Sequence, residues 1–291
     1  MTFVCILLLF VSAVIGGEDV DPALPTLITD FDVSRRNILE PIIFFITPTH
    51  KQYTQLVDLT RMSQFLQLSM EIEKHNIYWI IVEDRSDNTC SHQIRQLLYR
   101  TGLPFAHLLQ ASSKQSANSK YGFKSNKGIN QRNHAMDIIE HYYQDHLKSF
   151  HQAILYFADA DNAYDLRLVP ELLQTTKGLS VFPVGFTANR LYERCLVDAE
   201  SGQVTGFVGW RGGRKYPVDM AGFALTLKVS EHMYVRVLCC VCISCFDQHY
   251  PPLSYISCRA VPCVVPWHCL FFVLATILKH IIYIFMRIFI F

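Results

Sequence analysis

“IYWIIVED” (Ile77 to Asp84) is a short, unbroken apolar run that ends in acid. Such a run is typical of a strand buried on both faces of a sheet. “PIIFFITP” precedes it, “FAHLLQ” and “AILYFAD” follow it, and “LSVFPVGF”, “QVTGFVGW” and “FALTLKV” are later strand-like pieces. Helical spacing of apolar residues separates the earlier runs at 55–73, in “HQIRQLLYRTG” up to Gly102, and from Gly128 to about residue 147. Strands that alternate with helices predict an α/β fold with a mostly parallel central sheet.

Acidic residues follow two of the predicted strands. Asp84 ends one of them, and “YFADADNAY” places Asp159 and Asp161 one residue apart behind another. On spacing alone, an acidic turn and a metal site are both open. Ligands of parallel sheets bind beyond the carboxyl ends of the strands, and carboxylates suit Mg²⁺ or Mn²⁺. We therefore expect these acids to share one edge of the sheet.

A basic segment, “KGINQRN”, opens the helix that follows the polar 111–127 loop, and it carries Lys127 and Arg132. Taken alone, this segment is equally well explained as a solvated basic turn. Cationic side chains and a helix N-terminus both favour phosphate, however. Together with the acids at the strand ends, the segment predicts a metal-assisted site for a nucleoside diphosphate.

Charge and cysteine content change along the chain. The 291 residues carry a formal net charge of +1, which gives no argument for a nucleic-acid partner. Beyond about residue 238, charged residues become rare, and seven of the ten cysteines lie there. Three interpretations of the 232–291 tail are open: a membrane segment interrupted by Lys279, a cysteine-rich module, and read-through or an alternative terminal exon, which the composition favours. In the preceding part, Cys90 and Cys195 either pair or stay free.

The N-terminal run “MTFVCILLLFVSAVIGG” is apolar but shorter than the roughly 20 residues that usually span a bilayer. It predicts a signal peptide or a short signal anchor over 1–17, with a buried strand or helix as the alternative. Either of the first two sends the following part into the secretory lumen, with 18–40 as a stem or linker.

Five segments occur in order between Pro41 and Lys228: “ITPTHK”, “WIIVED”, “NQRN”, “YFADADNAY” and “VDMAGFAL”. In this order and spacing, the chain resembles the β-1,3-glucuronosyltransferases of glycosaminoglycan-linker and HNK-1-type synthesis, which belong to glycosyltransferase family 43. The resemblance implies a GT-A (Rossmann-like) nucleotide-sugar-binding fold over 41–231, incomplete at its C-terminus. It also implies a Mn²⁺-dependent, inverting transfer of glucuronic acid from UDP-glucuronate to a terminal galactose. The implied location is the Golgi membrane, with the catalytic domain in the lumen.

The same resemblance assigns nucleotide-binding roles residue by residue. His50 stands where the family has a tyrosine, and its ring can still stack on uracil. Asp84 resembles the residue that bonds the uracil. Lys127 and Arg132 occupy the places of two arginines near the nucleotide, and Lys127 keeps the charge but lacks the bidentate fork.

The metal and acceptor roles follow in the same way. Asp159 and Asp161 resemble the outer members of a triple-aspartate motif whose last member holds the metal. Asp161 is therefore the expected Mn²⁺ ligand and Asp159 a nucleotide-binding residue, while Ala160 replaces the middle aspartate and its bond to the ribose. Glu193 and Asp219 resemble residues that line the acceptor sugar's pocket, with a surface acid and a turn residue as the respective alternatives.

The resemblance stops after about residue 231. The family's catalytic base is a glutamate in a “GYQES”-like segment beyond that point, and no such segment follows here, so no catalytic residue is assigned. A positioned base contributes roughly 10²–10⁴-fold to a rate. The alternative function is therefore binding of a nucleotide sugar without catalysis. A third possibility is that the tail prevents stable folding of the chain.

The implied partners are UDP-glucuronate and a galactose-terminated glycan on a proteoglycan or a glycoprotein. The proteoglycan linker is the favoured acceptor. The family tends to dimerise through C-terminal contacts, and since that region does not match here, formation of a homodimer is open.

Overall fold

Helices and strands alternate through the first half of the chain. The structure, a computed structural model, describes residues 27–28, 41–73, 76–85, 89–111, 128–142, 150, 152–175, 178–187, 191–201, 203–209, 217–227, 256–258 and 264–266. The described helices are α1 (Gln55–Glu73), α2 (His92–Thr101), α3 (Ile129–Tyr142) and α4 (Leu168–Leu173). The described strands are β1 (Leu27–Ile28), β2 (Ile42–His50), β3 (Asn76–Asp84), β4 (Phe105–Leu109), β5 (Ala153–Phe157), β6 (Asn162–Tyr164), β7 (Leu179–Val181), β8 (Val184–Gly185), β9 (Tyr192–Val197), β10 (Val204–Val208), β11 (Phe223–Leu227), β12 (Ile256–Cys258) and β13 (Val264–Pro266).

The described strands form two sheets. The larger has the order β1-β4-β3-β2-β5-β11-β7-β12, and its neighbours β4, β3, β2 and β5 are all parallel. The strands β1 and β11 pair antiparallel with β4 and β5, respectively. The smaller sheet has the order β10-β9-β8-β13-β6 and is mostly antiparallel. The predicted α/β class with a mostly parallel central sheet is confirmed.

Alternate residues of β2 and β3 enter two different layers of the core. One layer holds Phe45 and Trp79 against α1 and α2, and the other holds Phe44 and Tyr78 against α3. All four side chains are almost fully buried. Since helices cover both faces, neither strand alternates between apolar and polar residues, which is why the two runs are continuous in the sequence.

Most of the predicted elements occur where the sequence places them. The helix predicted at 55–73 has those bounds, and α2 ends before Gly102, whose φ of +65° is the left-handed conformation expected of a helix stop. The strand β9 was not predicted, because “YERCLV” alternates between buried and exposed residues at its start and contains no continuous apolar run.

Several sequence predictions lie outside the described residues. They are the signal segment at 1–17, the stem at 18–40 apart from β1, residue Lys127, and the tail apart from β12 and β13. These two short tail strands pair with β7 and with β6 and β8, respectively. Within the described ranges, no helix combines the length and the apolar character needed to cross a membrane.

The cysteines of the matched region do not pair with each other. Cys90 is a buried free thiol, whereas Cys195 is disulfide-bonded. Of the two alternatives that the sequence left open for Cys90, the free thiol is therefore correct.

A buried hydrogen-bonded pair, Glu83 and His107, lies at the carboxyl end of β3. Glu83 is 1% exposed, and its Oε2 accepts hydrogen bonds from the Ser91 backbone N–H at 2.9 Å and from His107 Nε2 at 3.1 Å. Burial by itself raises the pKa of Glu83, but the hydrogen bonds from His107 and Ser91 outweigh it and hold the pKa below its usual value. Burial also lowers the pKa of His107. The pair is therefore a carboxylate that accepts from a neutral imidazole.

We expect this pair to make stability depend on pH. Because the pKa of His107 is lowered in the folded state, the unfolded chain binds more protons below its usual value of 6.5. The free energy of unfolding should therefore fall as the pH drops from about 6.5, by at most about 1.4 kcal/mol per pH unit for one proton. Protonation would also leave Nδ1, which is buried without a hydrogen-bond partner among the described residues, as an unsatisfied donor.

Urea unfolding of His107→Gln and of the matched variant His92→Gln between pH 7.5 and 5 measures this effect. His92 is an exposed histidine at the start of α2. The acid-dependent loss should be smaller in His107→Gln and unchanged in His92→Gln. Equal slopes in all three proteins would contradict a role for the buried pair.

Candidate functional site

One pocket collects residues from four separate segments of the chain. Its volume is about 470 Å³, and it lies where β2, β3 and β5 end and α3 begins. Of the residues predicted to bind nucleotide or metal, all that the structure describes contribute to its wall. The lining consists of Pro48, Thr49, His50, Gln52, Asp84, Gly128, Gln131, Arg132, Asp159, Ala160 and Asp161.

The parallel register explains why His50 and Asp84 meet. These are the last residues of β2 and β3, and they are register partners in the sheet. Thr49 is fixed beside them, since its Oγ1 accepts a hydrogen bond from Gln55 Nε2 at 3.1 Å. An aromatic ring and a carboxylate are therefore presented together at one end of the pocket.

The acidic turn between β5 and β6 forms another part of the wall. β5 pairs with β2 through Ile46 and Phe157, and the Ala158 N–H continues this ladder by donating to the Ile46 carbonyl at 2.8 Å. The Asn162 N–H then donates to the Asp159 carbonyl at 3.2 Å and closes the turn. Asp159 and Asp161 both line the pocket from this turn.

Arg132 is the cation of the pocket wall among the described residues. It lies in the first turn of α3, is 3% exposed, and donates from Nη2 to Asp159 Oδ1. The neighbouring Gln131 donates from Nε2 to the Gln110 carbonyl at 2.6 Å, which ties the start of the helix to the end of β4. The hydrogen bond to Asp159 thus holds Arg132 beside the acidic turn, and the Gln131 bond fixes the start of the helix that carries it.

Gly128 allows the helix start to approach β2. Its φ is +80°, and a Cβ atom built there would lie 3.0 Å from Arg132 Nη1 and 3.1 Å from Pro48 Cβ. Both the left-handed conformation and the close approach require glycine. Spacing in the sequence marked the basic segment, but it did not identify this glycine or Gln131 as part of the site.

The carboxylates of this pocket fit a metal ion that arrives with a diphosphate. Among the described residues, no group of three or more His, Cys, Asp or Glu side chains is placed to hold a metal by itself. Asp161 is exposed, whereas the Asp159 side chain is 30% exposed and bonded to Arg132. Small divalent ions commonly bind one or two carboxylates and complete their shell with phosphate oxygens and water. The carboxylates of this pocket fit such a shared metal site better than a site in which protein side chains supply every ligand.

The two residues predicted for the acceptor side do not line this pocket. Glu193 lies on β9, is 2% exposed, and packs so closely on Gly209 that a Cβ there would be 3.1 Å from Glu193 Cδ. The surface-acid alternative for Glu193 is therefore wrong. Asp219 caps the short 3₁₀ helix Met220–Gly222, accepting from the Ala221 N–H at 3.0 Å and from Thr187 Oγ1 at 3.4 Å. Asp219 therefore has a structural role as a helix cap, and its role in binding the acceptor stays a prediction.

Comparisons with known proteins identify the family of the chain. The family model described as Glycosyltransferase family 43 matches residues 66–233. Galactosylgalactosylxylosylprotein 3-beta-glucuronosyltransferase S of Drosophila melanogaster is 33% identical over 199 residues, which is 68% of this chain and 44% of that one. The corresponding enzyme 2 of Mus musculus is 37% identical over 191 residues, 65% of this chain and 54% of that one.

A third relative, galactosylgalactosylxylosylprotein 3-beta-glucuronosyltransferase sqv-8 of Caenorhabditis elegans, is 33% identical over 199 residues. That alignment covers 67% of this chain and 52% of the relative. The chain spans about half the length of the curated relatives it matches.

A glycine substitution tests whether the close approach at the helix start constrains residue 128 to glycine. Gly128→Ala should lower the free energy of unfolding by more than Gly102→Ala, because both have positive φ but only Gly128 has neighbours within 4 Å. The conformational penalty common to both is about 1–2 kcal/mol. Urea unfolding of the two variants isolates the contact with Arg132 and Pro48. Equal losses of unfolding free energy in the two variants would show that Arg132 and Pro48 move aside for the added methyl group at no cost.

Proposed function

Because the chain belongs to glycosyltransferase family 43 and has the GT-A fold, we propose that it transfers glucuronic acid from UDP-glucuronate to a terminal galactose. The proposed reaction forms a β-1,3 linkage, inverts the anomeric centre and depends on Mn²⁺. One observation carries the proposal: the strand ends at His50 and Asp84, the helix start at Arg132 and the acidic turn converge on a single pocket. The curated relatives carry the name of a 3-beta-glucuronosyltransferase, which supports this assignment.

The proposed donor occupies the pocket with its uracil at the β2–β3 end. There, His50 stacks on the base and Asp84 accepts a hydrogen bond from it. The diphosphate then lies toward α3, where the Arg132 guanidinium and the N-terminus of the helix offset its negative charge. Asp159 holds the Arg132 guanidinium in place and limits its rotation. An arginine that is already fixed by a carboxylate loses less conformational freedom when it binds phosphate.

The proposed metal ligand is Asp161. Asp161 would hold a Mn²⁺ ion at this wall of the pocket, and a bound ion would supply Lewis-acid stabilisation of the charge on the leaving diphosphate. Asp159 is a weaker candidate for this role, since its carboxylate is already engaged by Arg132. The exposure of Asp161 lets its carboxylate turn toward a bound diphosphate.

The proposed acceptor is a galactose-terminated glycan of a proteoglycan, with a glycoprotein as the other acceptor class. Glu193 and Asp219 are the residues that we propose for the acceptor side, and no described residue is assigned as the base. We also propose that the protein works at the Golgi membrane with this domain in the lumen, a location that the apolar 1–17 segment supports. A nucleotide-sugar-binding protein without turnover is the second candidate, because the residues gathered in the described pocket are those of the donor side.

Incubation of the purified protein with UDP-glucuronate, Mn²⁺ and a galactose-terminated acceptor tests the first function. We expect transfer above a no-enzyme control, and a loss of at least about 100-fold in Asp161→Asn, since a metal contributes several kcal/mol to such a step. Asp165→Asn is the matched control, because Asp165 is a nearby carboxylate that pairs with Arg167 outside the pocket.

The same samples separate the two candidate functions. Absence of transfer by the unmodified protein would exclude the transferase for this chain. Calorimetry with UDP and Mn²⁺ then decides about the second function: binding without turnover supports it, and absence of binding rejects both.

Restoring a carboxylate in the acidic turn should strengthen nucleotide binding. Ala160 lines the pocket between Asp159 and Asp161 and is 8% exposed, so we expect part of the Ala160→Asp side chain to reach the space proposed for the ribose. One additional hydrogen bond of about 1 kcal/mol corresponds to roughly five-fold tighter binding of UDP. The gain should disappear with a UDP analogue that lacks the ribose hydroxyls. An equal gain for both ligands would argue against a bond to the ribose.

A further inference from the structure

The acidic turn is tethered from behind by two side chains that do not line the pocket. They are Arg61 of α1 and Tyr164 of β6, and together they bind three backbone carbonyls of the 159–162 segment. We propose that Arg61 and Tyr164 are positioning residues that hold the backbone of this turn so that Asp161 meets the metal–diphosphate in one orientation. This inference rests on the proposed function for its metal, and on the described contacts for its geometry.

Arg61 bridges both sides of Asp161. Its Nη2 donates to the Ala160 carbonyl at 2.9 Å and reaches the Asn162 carbonyl at 3.4 Å. These carbonyls belong to the residues immediately before and after Asp161, so the guanidinium fixes the peptide groups that flank it. A single cation that contacts both limits rotation of the backbone at Asp161 itself.

Tyr164 holds the beginning of the same turn. Its hydroxyl donates to the Asp159 carbonyl at 2.8 Å. Burial raises the pKa of Tyr164 well above its usual value, so the phenol keeps its proton and remains a donor. The ring packs against Phe65 of α1 at 5.3 Å and against Tyr156 of β5 at 6.3 Å between centroids, which fixes the hydroxyl in space.

The charge of Arg61 is balanced on its own helix. Asp58 Oδ1 lies 3.3 Å from Arg61 Nη2, and the Asp58 side chain is 8% exposed. Gln52, which lines the pocket, donates from Nε2 to Asp58 Oδ2 at 3.4 Å. Because Asp58 neutralises the guanidinium, Arg61 adds little positive charge to the acidic turn. Its effect on a metal ligand is therefore geometric rather than electrostatic.

Metal ligands depend on groups that orient them. Replacing such groups in other proteins typically lowers metal affinity about 10- to 100-fold. The proposed metal site has few protein ligands, so the direction of one carboxylate should matter more than in a closed cage. Arg61 and Tyr164 are the described side chains that fix the backbone carrying that carboxylate.

The first measurement asks whether the tether exists in solution, without any ligand. Hydrogen–deuterium exchange of the full chain should be faster across 158–164 in Arg61→Met and Tyr164→Phe than in the unmodified protein. Exchange in β3 should stay the same. Arg167→Met is the matched control, since Arg167 is an exposed arginine bonded to Asp165 just beyond the turn.

The second measurement asks whether the tether positions the metal ligand. Calorimetry gives the dissociation constant of UDP with and without Mn²⁺ for each variant. We expect the Mn²⁺-dependent gain in UDP affinity to fall about 10-fold in Arg61→Met and Tyr164→Phe, whereas the affinity for UDP alone is unchanged. Arg61→Lys should recover only part of the gain, because the ammonium is more strongly hydrated and sits on a flexible stem, so it holds the two carbonyls less firmly than the planar guanidinium.

Each outcome has one meaning. Unchanged exchange in both variants would overturn the tether, whatever the metal data show. Faster exchange with an unchanged Mn²⁺-dependent gain would overturn the positioning role, and an equal loss of UDP affinity without metal would make the two residues simple supports of the fold. If the unmodified protein shows no Mn²⁺-dependent gain, the proposed function fails and the positioning role fails with it, while the exchange data still decide the tether.

Discussion

The parallel pairing of β2 with β3 on one side and β5 on the other is the constraint on which the site depends. It places His50 opposite Asp84 and continues past Phe157 to the acidic turn, so that three strand ends reach one edge. The helices that make this pairing possible also bury both faces of β2, because each parallel connection must cross over the sheet. Burial of the core and assembly of the pocket therefore have the same cause.

Neighbouring acidic residues have opposite roles because the structure gives them different partners. Glu83 turns into the interior, where His107 and the Ser91 N–H hold its charge, whereas Asp84 lines the pocket. In the acidic turn, Arg132 engages Asp159 while Asp161 remains exposed. The arginine that supports this turn from behind is paired with Asp58. The pocket thus keeps a carboxylate at the surface next to an arginine that is already oriented.

Sequence patterns predicted the strands and helices that show a clear local pattern of apolar residues. The continuous apolar runs at β2, β3 and β5 and the helix at 55–73 were found because burial and helical spacing are local properties. The pattern did not reveal β9, whose half-buried alternation is short. It also could not connect Arg61 with the Ala160 carbonyl, since the two residues are 99 positions apart and no motif joins them.

The sequence by itself determined which segments form the buried strands, where acids follow them, and, through five ordered motifs, the family to which the chain is related. Tertiary structure decided which of those acids line the pocket and brought Arg132 to Asp159. It also excluded the surface-acid alternative for Glu193, which is buried, and gave Asp219 a capping role. The physical reason is that hydrophobic periodicity acts over a few residues, whereas the partner of a charged group is chosen by the packing of distant elements.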